Sequence, residues 1–172
     1  VFFSSSACVY AQAVQQGTGD RTVKLAESMA HPADPEPGYG WAKLYVEQLM
    51  RYHRDERGLD VRIARFHNSY GPHGTWVGGR EKAPAAICRK VAVAKLSGRH
   101  TIDIWGDGTQ SRSFMYIDDN VEGIKRITAS GFDQPVNLGS EELVTVNQLV
   151  DIVSEIAFGR PDALERTYDL TA

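Results

Sequence analysis

The sequence predicts an α/β fold built on a parallel sheet. Three observations lead there. Tyr39 to Arg57 has helical periodicity, Gly58 stops it, and Leu59 to Phe66 reads as a strand, so a helix, a glycine and a strand follow one another as in a parallel α/β unit. The opening Val1-Phe2-Phe3 run is apolar and closes in Ser4-Ser5-Ser6, the pattern of a buried strand that ends in small polar groups. Short apolar runs then alternate with helical segments toward the C-terminus. With 172 residues, 42% of them hydrophobic, the chain can enclose a real core.

Charge and composition narrow the function classes. A net charge of −3 gives no broad basic face for a nucleic-acid backbone. No apolar run approaches the roughly 18 residues of a membrane helix. Cys8 and Cys88 are too few for a disulfide scaffold, which predicts a reducing, cytoplasmic compartment. A start at Val1 without Met predicts that this stretch begins inside a longer protein.

The elements follow in order. Val1–Ser5 is the end of a strand. Gln12 to about Gly38, with Gly17, Gly19, Pro32, Pro35 and Pro37, is mainly loop. Tyr39–Arg57 is a helix with Ala42, Val46, Leu49 and His53 on one stripe. In Leu59–Phe66, Val61 and Ile63 alternate with Arg62 and Ala64. Asn68–Arg80 is a Gly-rich loop. A helix from about Ala83 to Leu96 takes Pro84 in its first turn. Thr101–Trp105 is a strand, Gly106-Asp107-Gly108 a turn, and Phe114–Ile117 a further strand. Asp118 or Asp119 caps a helix through Ile127. Val136–Leu138 is a strand, and Thr145 caps a last helix through Ala157.

The chemistry concentrates in a few stretches. In Tyr39-Gly40-Trp41-Ala42-Lys43, the phenol and the ammonium stand at i and i+4 on one helix face. A nearby ammonium favours the phenolate, so the pair can move a proton to or from an alcohol. Ser4-Ser5-Ser6-Ala7-Cys8-Val9-Tyr10 puts hydroxyls and a thiol at a strand's C-terminal end, where α/β sheets bind ligands. Glu81, Lys82 and Ala83 stand where a helix begins, with Arg89 and Lys90 two turns on, an arrangement suited to anions. The competing assignments are a surface salt bridge from Lys82 to Glu81 or Glu47, and a solvated helix face for Arg89 and Lys90. His53, His67 and His73 lack metal-ligand spacing and read as structural or surface residues.

These motifs, in this order, resemble the extended short-chain dehydrogenase/reductases, the NAD-dependent epimerase/dehydratase family. The resemblance is carried by Ser-Ser-x-x-x-Tyr after a strand, by Tyr-x-x-x-Lys, by Arg65-Phe66-His67-Asn68-Ser69-Tyr70-Gly71-Pro72, and by Trp105-Gly106-Asp107-Gly108 with Gln110 to Phe114. Within that family Ser5-Ser6-Ala7-Cys8, the stretch Gly74 to Ala86, and Arg112-Ser113-Phe114 are most similar to the GDP-mannose 3,5-epimerase branch.

The resemblance implies a partial Rossmann-type parallel sheet, its second half, with a small α/β substrate-binding lobe. Residues 1–72 would belong to the NAD-binding domain and 73–172 mainly to the substrate lobe, with a return strand at about 114–140. It implies NAD as cofactor, met by Tyr39, Lys43 and Phe66. The substrate would be a nucleotide sugar, GDP-mannose, met by Ser6, Ala7, Cys8, Asn68, Glu81, Lys82, Ala83, Lys90, Gln110 and Arg112. Tyr39 and Lys43 would serve hydride transfer at C4, Ser6 would orient the C4 oxygen, and Cys8 with Lys82 would exchange protons at C3 and C5. It further implies a homodimer through helices that include Tyr39–Arg57. The alternatives are another nucleotide-sugar 4-epimerase or 4,6-dehydratase, or a non-catalytic scaffold.

Two departures from the family pattern matter. Gly17-Thr18-Gly19, Gly38-Tyr39-Gly40 and Gly106-Asp107-Gly108 do not satisfy the Gly-rich pyrophosphate fingerprint. The family's closing basic segment is not seen after Thr167. The 172 residues alone are therefore expected to bind NAD poorly and not to turn over.

Overall fold

A computed structural model describes residues 1–15 and 24–171. In chain order its elements are β1 (Phe2–Ser6), α1 (Gln12–Gln15), α2 (Tyr39–Arg57), β2 (Arg62–Phe66), β3 (Asn68–Tyr70), α3 (Ala83–Ser97), β4 (Thr101–Trp105), β5 (Ser111–Tyr116), α4 (Ile117–Ala129), β6 (Val136–Leu138), β7 (Leu143–Thr145), α5 (Val146–Phe158) and β8 (Glu165–Asp169), with 3-10 turns at Ala7–Val9 and Glu27–Ala30. The fold is α/β, and the chain divides into two compact units. The first comprises Val1–Ser69 and Asp118–Glu141, the second Tyr70–Ile117 and Glu142–Ala172. Gly17 and Gly19, in the segment read as loop, lie outside the described residues. The described part of that segment holds α1 and the second 3-10 turn.

In the first unit β1, β2 and β6 form a parallel sheet in that order, with Phe2 opposite Arg62, Ser6 opposite Phe66, and Phe66 opposite Leu138. β2 is the middle strand. Val61, Ile63, Ala64 and Arg65 are all buried, so the alternation read from the sequence does not hold. A central parallel strand is covered on both faces and needs no polar side. α2 has the bounds the periodicity gives, and Gly58 closes it in the left-handed region at φ 64°. Its buried row is Gly40, Leu44 and Glu47, while Ala42 and Leu49 are exposed. The predicted stripe is thus rotated. A hydrophobicity count cannot foresee that a glutamate turns inward when a buried partner awaits it. α4 begins at Ile117, and Asp118 and Asp119 stand inside its first turn rather than at the cap, where they still favour the positive helix end.

The second unit has its own core: Ile87, Val91 and Ala94 of α3, Ile102 and Ile104 of β4, Val150 of α5, and Leu164. β4 alternates buried Ile102 and Ile104 with exposed neighbours and pairs parallel with β8, from Thr101 opposite Glu165 to Trp105 opposite Asp169. β8 was not foreseen, because Glu-Arg-Thr-Tyr-Asp carries no apolar alternation. β5 starts at Ser111, three residues before the reading, because it pairs antiparallel with β7, Ser113 opposite Leu143. The Gly-rich loop is entered through β3, not directly. α5 opens with a full capping box: the Gln148 amide donates to the Thr145 hydroxyl at 3.0 Å, and the Thr145 amide donates to the Gln148 side chain at 2.9 Å.

Candidate active site

The C-terminal end of β1 and the start of α2 bring one group of candidate residues together within the first unit. Ser6 is extended and its hydroxyl accepts from the Cys8 amide at 3.2 Å, capping the Ala7–Val9 turn. The hydroxyl proton remains available to a further acceptor. α2 then passes so close to this turn that only glycine fits. A Cβ at Gly40 would lie 2.3 Å from the Cys8 carbonyl oxygen and 3.1 Å from Cβ of Pro35. This approach sets Tyr39 and Lys43 beside the strand end. Lys43 Nζ donates to the Ser4 carbonyl at 2.7 Å and sits 5.5 Å from the centre of the Tyr39 ring and 5.2 Å from that of Phe3. Tyr39 is 54% exposed, so its phenol is open to a ligand. Phe66 stands opposite Ser6 in the sheet and meets Phe2 edge-on at 6.4 Å. Asn68 follows in β3. A phenol, an ammonium, a hydroxyl and a thiol thus share one strand end in the first unit.

Beneath this strand end lies a polar network that the sequence reading missed. Arg65 Nη2 donates to Glu47 Oε2 at 2.7 Å, and Arg65 Nε donates to Oε1 at 3.0 Å, a bidentate pair with side-chain exposures of 3% and 1%. Glu47 also accepts the Ser5 hydroxyl. Arg65 Nη1 donates to the Tyr10 hydroxyl at 3.1 Å and to the Glu27 carbonyl at 2.9 Å, and the Tyr10 hydroxyl donates to Asn137. Burial pushes the Tyr10 phenol up, against the opposing pull of Arg65. His67 has Nε2 buried without a hydrogen-bond partner, and burial pushes its imidazole down. Only half of this network had a local signal: Arg65 interrupts a buried strand, whereas Glu47 sits on a largely exposed helix.

The remaining candidates lie in the second unit. Lys82 is the exposed N-cap residue of α3, and Ala83 its first residue. The competing assignment of Lys82 to a salt bridge with Glu81 or Glu47 is not what the carboxylates do: Glu81 pairs with Arg89 at 3.0 Å and accepts the Gly79 amide at 2.7 Å, while Glu47 holds Arg65. The Glu81 carboxyl is held below its ordinary value by its own backbone amide, then by Arg89 and the Gly79 amide. Arg89 also donates to the Trp76 carbonyl at 2.9 Å, pinning the loop before α3. Lys90 donates to Asp103 Oδ2 at 2.6 Å and lies 5.7 Å from the Trp105 ring, so it is not a solvated face. Its hydrogen bond holds the Asp103 carboxyl low. Arg89, Lys90, Val93, Arg99, Asp103 and Trp105 line a groove of about 350 Å³. Gln110 lies at the Gly106–Gly108 turn, its carbonyl accepting the Val146 amide at 3.2 Å, and Arg112 projects from β5 into solvent. Among the described residues no cluster of His, Cys, Asp or Glu could hold a metal, and no helix is long and apolar enough to cross a membrane.

A parallel sheet whose strand end carries serines and a thiol, beside a Tyr–Lys helix, is the α/β arrangement that the sequence resemblance implies. The chain belongs to the NAD dependent epimerase/dehydratase family, whose model matches residues 1–139. Over 152 residues it is 48% identical to GDP-mannose 3,5-epimerase of Arabidopsis thaliana, covering 88% of this chain and 39% of that protein. It is 35% identical over 127 residues to UDP-glucuronic acid decarboxylase 1 of the same plant, covering 73% of this chain and 27% of that one. Among solved structures, UDP-glucose 4-epimerase of Thermotoga maritima superposes with a TM-score of 0.77 at 27% identity, over 98% of this chain and 49% of that chain. The chain therefore spans about two fifths of the Arabidopsis epimerase's length.

Proposed function

We propose that the whole protein carrying this sequence is an NAD-dependent nucleotide-sugar epimerase that converts GDP-mannose to GDP-L-galactose. The observation that supports this most is Cys8, in the turn capped by Ser6 and packed by its backbone against Gly40, between Tyr39 and Lys43 in the helix. The 48% identity to a GDP-mannose 3,5-epimerase supports the same reading. The donor set fits the nicotinamide-ribose end of the cofactor: an open phenol with an ammonium beside it, and Phe66 across the strand end. Bound there, NAD would supply a reversible hydride acceptor for C4 of the hexose.

In this reading Tyr39 takes the C4 hydroxyl proton, with Lys43 beside it. The Ser6 hydroxyl donates to the C4 oxygen. With C4 a ketone, the C–H bonds at C3 and C5 become acidic, and Cys8 and Lys82 remove and return those protons. Glu81, Ala83, Lys90, Gln110, Arg112 and Asn68 are assigned to substrate binding, as the family resemblance implies.

A homodimer is part of the proposal. Trp41, Tyr45, Leu49 and Tyr52 are exposed on α2, and a second copy of that helix is the occupant we assign to them. Sedimentation of the whole protein tests it. The cytoplasm is the proposed compartment, tested by cell fractionation.

The deciding experiment incubates the whole protein with GDP-mannose and NAD in deuterated water. Deuterium at C3 and C5, lost in the Cys8→Ser variant while NAD binding persists, is the expected result. Inversion at C4 alone would give the 4-epimerase reading instead.

A further inference from the structure

Lys43 and Glu47 stand one turn apart on α2, and both grip the same strand end. Lys43 donates to the Ser4 carbonyl at 2.7 Å, while Glu47 accepts the hydroxyl of Ser5. The next residue, Ser6, caps the Cys8 turn. Glu47 could not hold this position alone, because a carboxylate at 1% exposure needs a counter-charge. Arg65, on the neighbouring strand, supplies it bidentately and is itself tied to Tyr10 and Glu27. Helix, strand end and central strand are thus fastened at one buried point.

Fastening by charge differs from fastening by apolar packing. Apolar contacts tolerate small slides, whereas a fork-shaped pair with a third hydroxyl ligand has one good geometry. We propose that Glu47, held by Arg65, is a positioning residue that acts through the Ser5 hydroxyl to fix the strand end bearing Ser6 and Cys8 against Lys43 and Tyr39. Its bearing on catalysis rests on the epimerase reading; the geometric claim does not.

Ser5→Ala is the incisive change, because it removes the link while leaving the Glu47–Arg65 pair intact. The test uses the 172-residue chain with no substrate or cofactor. Alkylation of both thiols by iodoacetamide is followed from pH 6 to 9 by peptide mass, Cys88 in α3 serving as the internal reference. In Ser5→Ala, Cys8 should react roughly fivefold faster, the ratio that the loss of one net hydrogen bond corresponds to. Cys88 should be unchanged, and Ser5→Thr should restore the parent profile.

Three results would overturn the proposal. An unchanged Cys8 profile would mean that the link fixes nothing. Equal acceleration of both thiols would mean general destabilisation only. Failure of threonine to rescue would mean that the hydroxyl is not the agent. None of these touches the assignment of substrate, which deuterium exchange decides separately.

Discussion

Replacing Gly40 by alanine sets two effects of opposite sign against each other. Helix propensity favours alanine over glycine by up to about 1 kcal/mol in a helix interior. The close approach of α2 to the Cys8 turn opposes it. The new Cβ would lie 2.3 Å from the Cys8 carbonyl oxygen and 3.2 Å from its carbon, both backbone atoms. Backbone cannot rotate away, so the helix or the turn must shift, at the roughly 1–3 kcal/mol typical of overpacking. That shift also strains the hydrogen bond that the Glu36 amide donates to the same carbonyl at 3.4 Å, and the one that the Trp41 amide donates to the Glu36 carbonyl. Gly40→Ala should therefore be net destabilising by about 1–2 kcal/mol. Gly123→Ala in α4 is the control. There the Cβ would meet Cδ1 of Leu138 at 2.4 Å, the mobile end of a side chain, which costs less to displace. Urea unfolding followed by tryptophan fluorescence compares the midpoints at constant slope. A Gly40→Ala chain as stable as the parent, or more stable than Gly123→Ala, would refute the reasoning.

Other outcomes follow from the same geometry. Burial lowers the His67 pKa in the folded chain, so the unfolded chain binds more protons. The unfolding free energy should then fall as pH drops below about 6.5, and His67→Gln should flatten that slope in urea titrations at pH 7 and pH 5. Thr145→Ala removes the capping-box oxygen and should lower stability by about 1 kcal/mol in the same assay, with Thr145→Ser nearly neutral. For the Glu47–Arg65 pair, Glu47→Leu and Arg65→Met should each cost about 3–5 kcal/mol, because each leaves a buried charge alone. The double variant should cost at least 2 kcal/mol less than their sum, and additivity within about 0.5 kcal/mol would refute the coupling.

What the sequence makes legible here, and what it hides, divide along a physical line. Local patterns were readable: α2 begins at Tyr39 and ends at Gly58, β4 spans Thr101–Trp105, and Thr145 caps α5, because periodicity, left-handed glycine and capping chemistry act over a few residues. Pairing over long separations was not. β7 and β8 are short or polar strands that exist because β5 and β4 offer an edge, and nothing in Leu143–Thr145 or Glu165–Asp169 announces that edge. The candidate site divides the same way. Tyr39 and Lys43 are visible as an i, i+4 pair, and Ser6 and Cys8 as a strand end. That Glu47 belongs to them could not be read, because a glutamate on a helix counts as solvent-facing until a strand 18 residues later supplies Arg65. The buried charge shares the inward face of α2 with Gly40 and Leu44, a row that turns inward in place of the apolar stripe. The ion pair thus joins the Gly40 approach and buried Leu44 on the helix face that meets the sheet, the face that leaves Tyr39 and Lys43 beside the strand end.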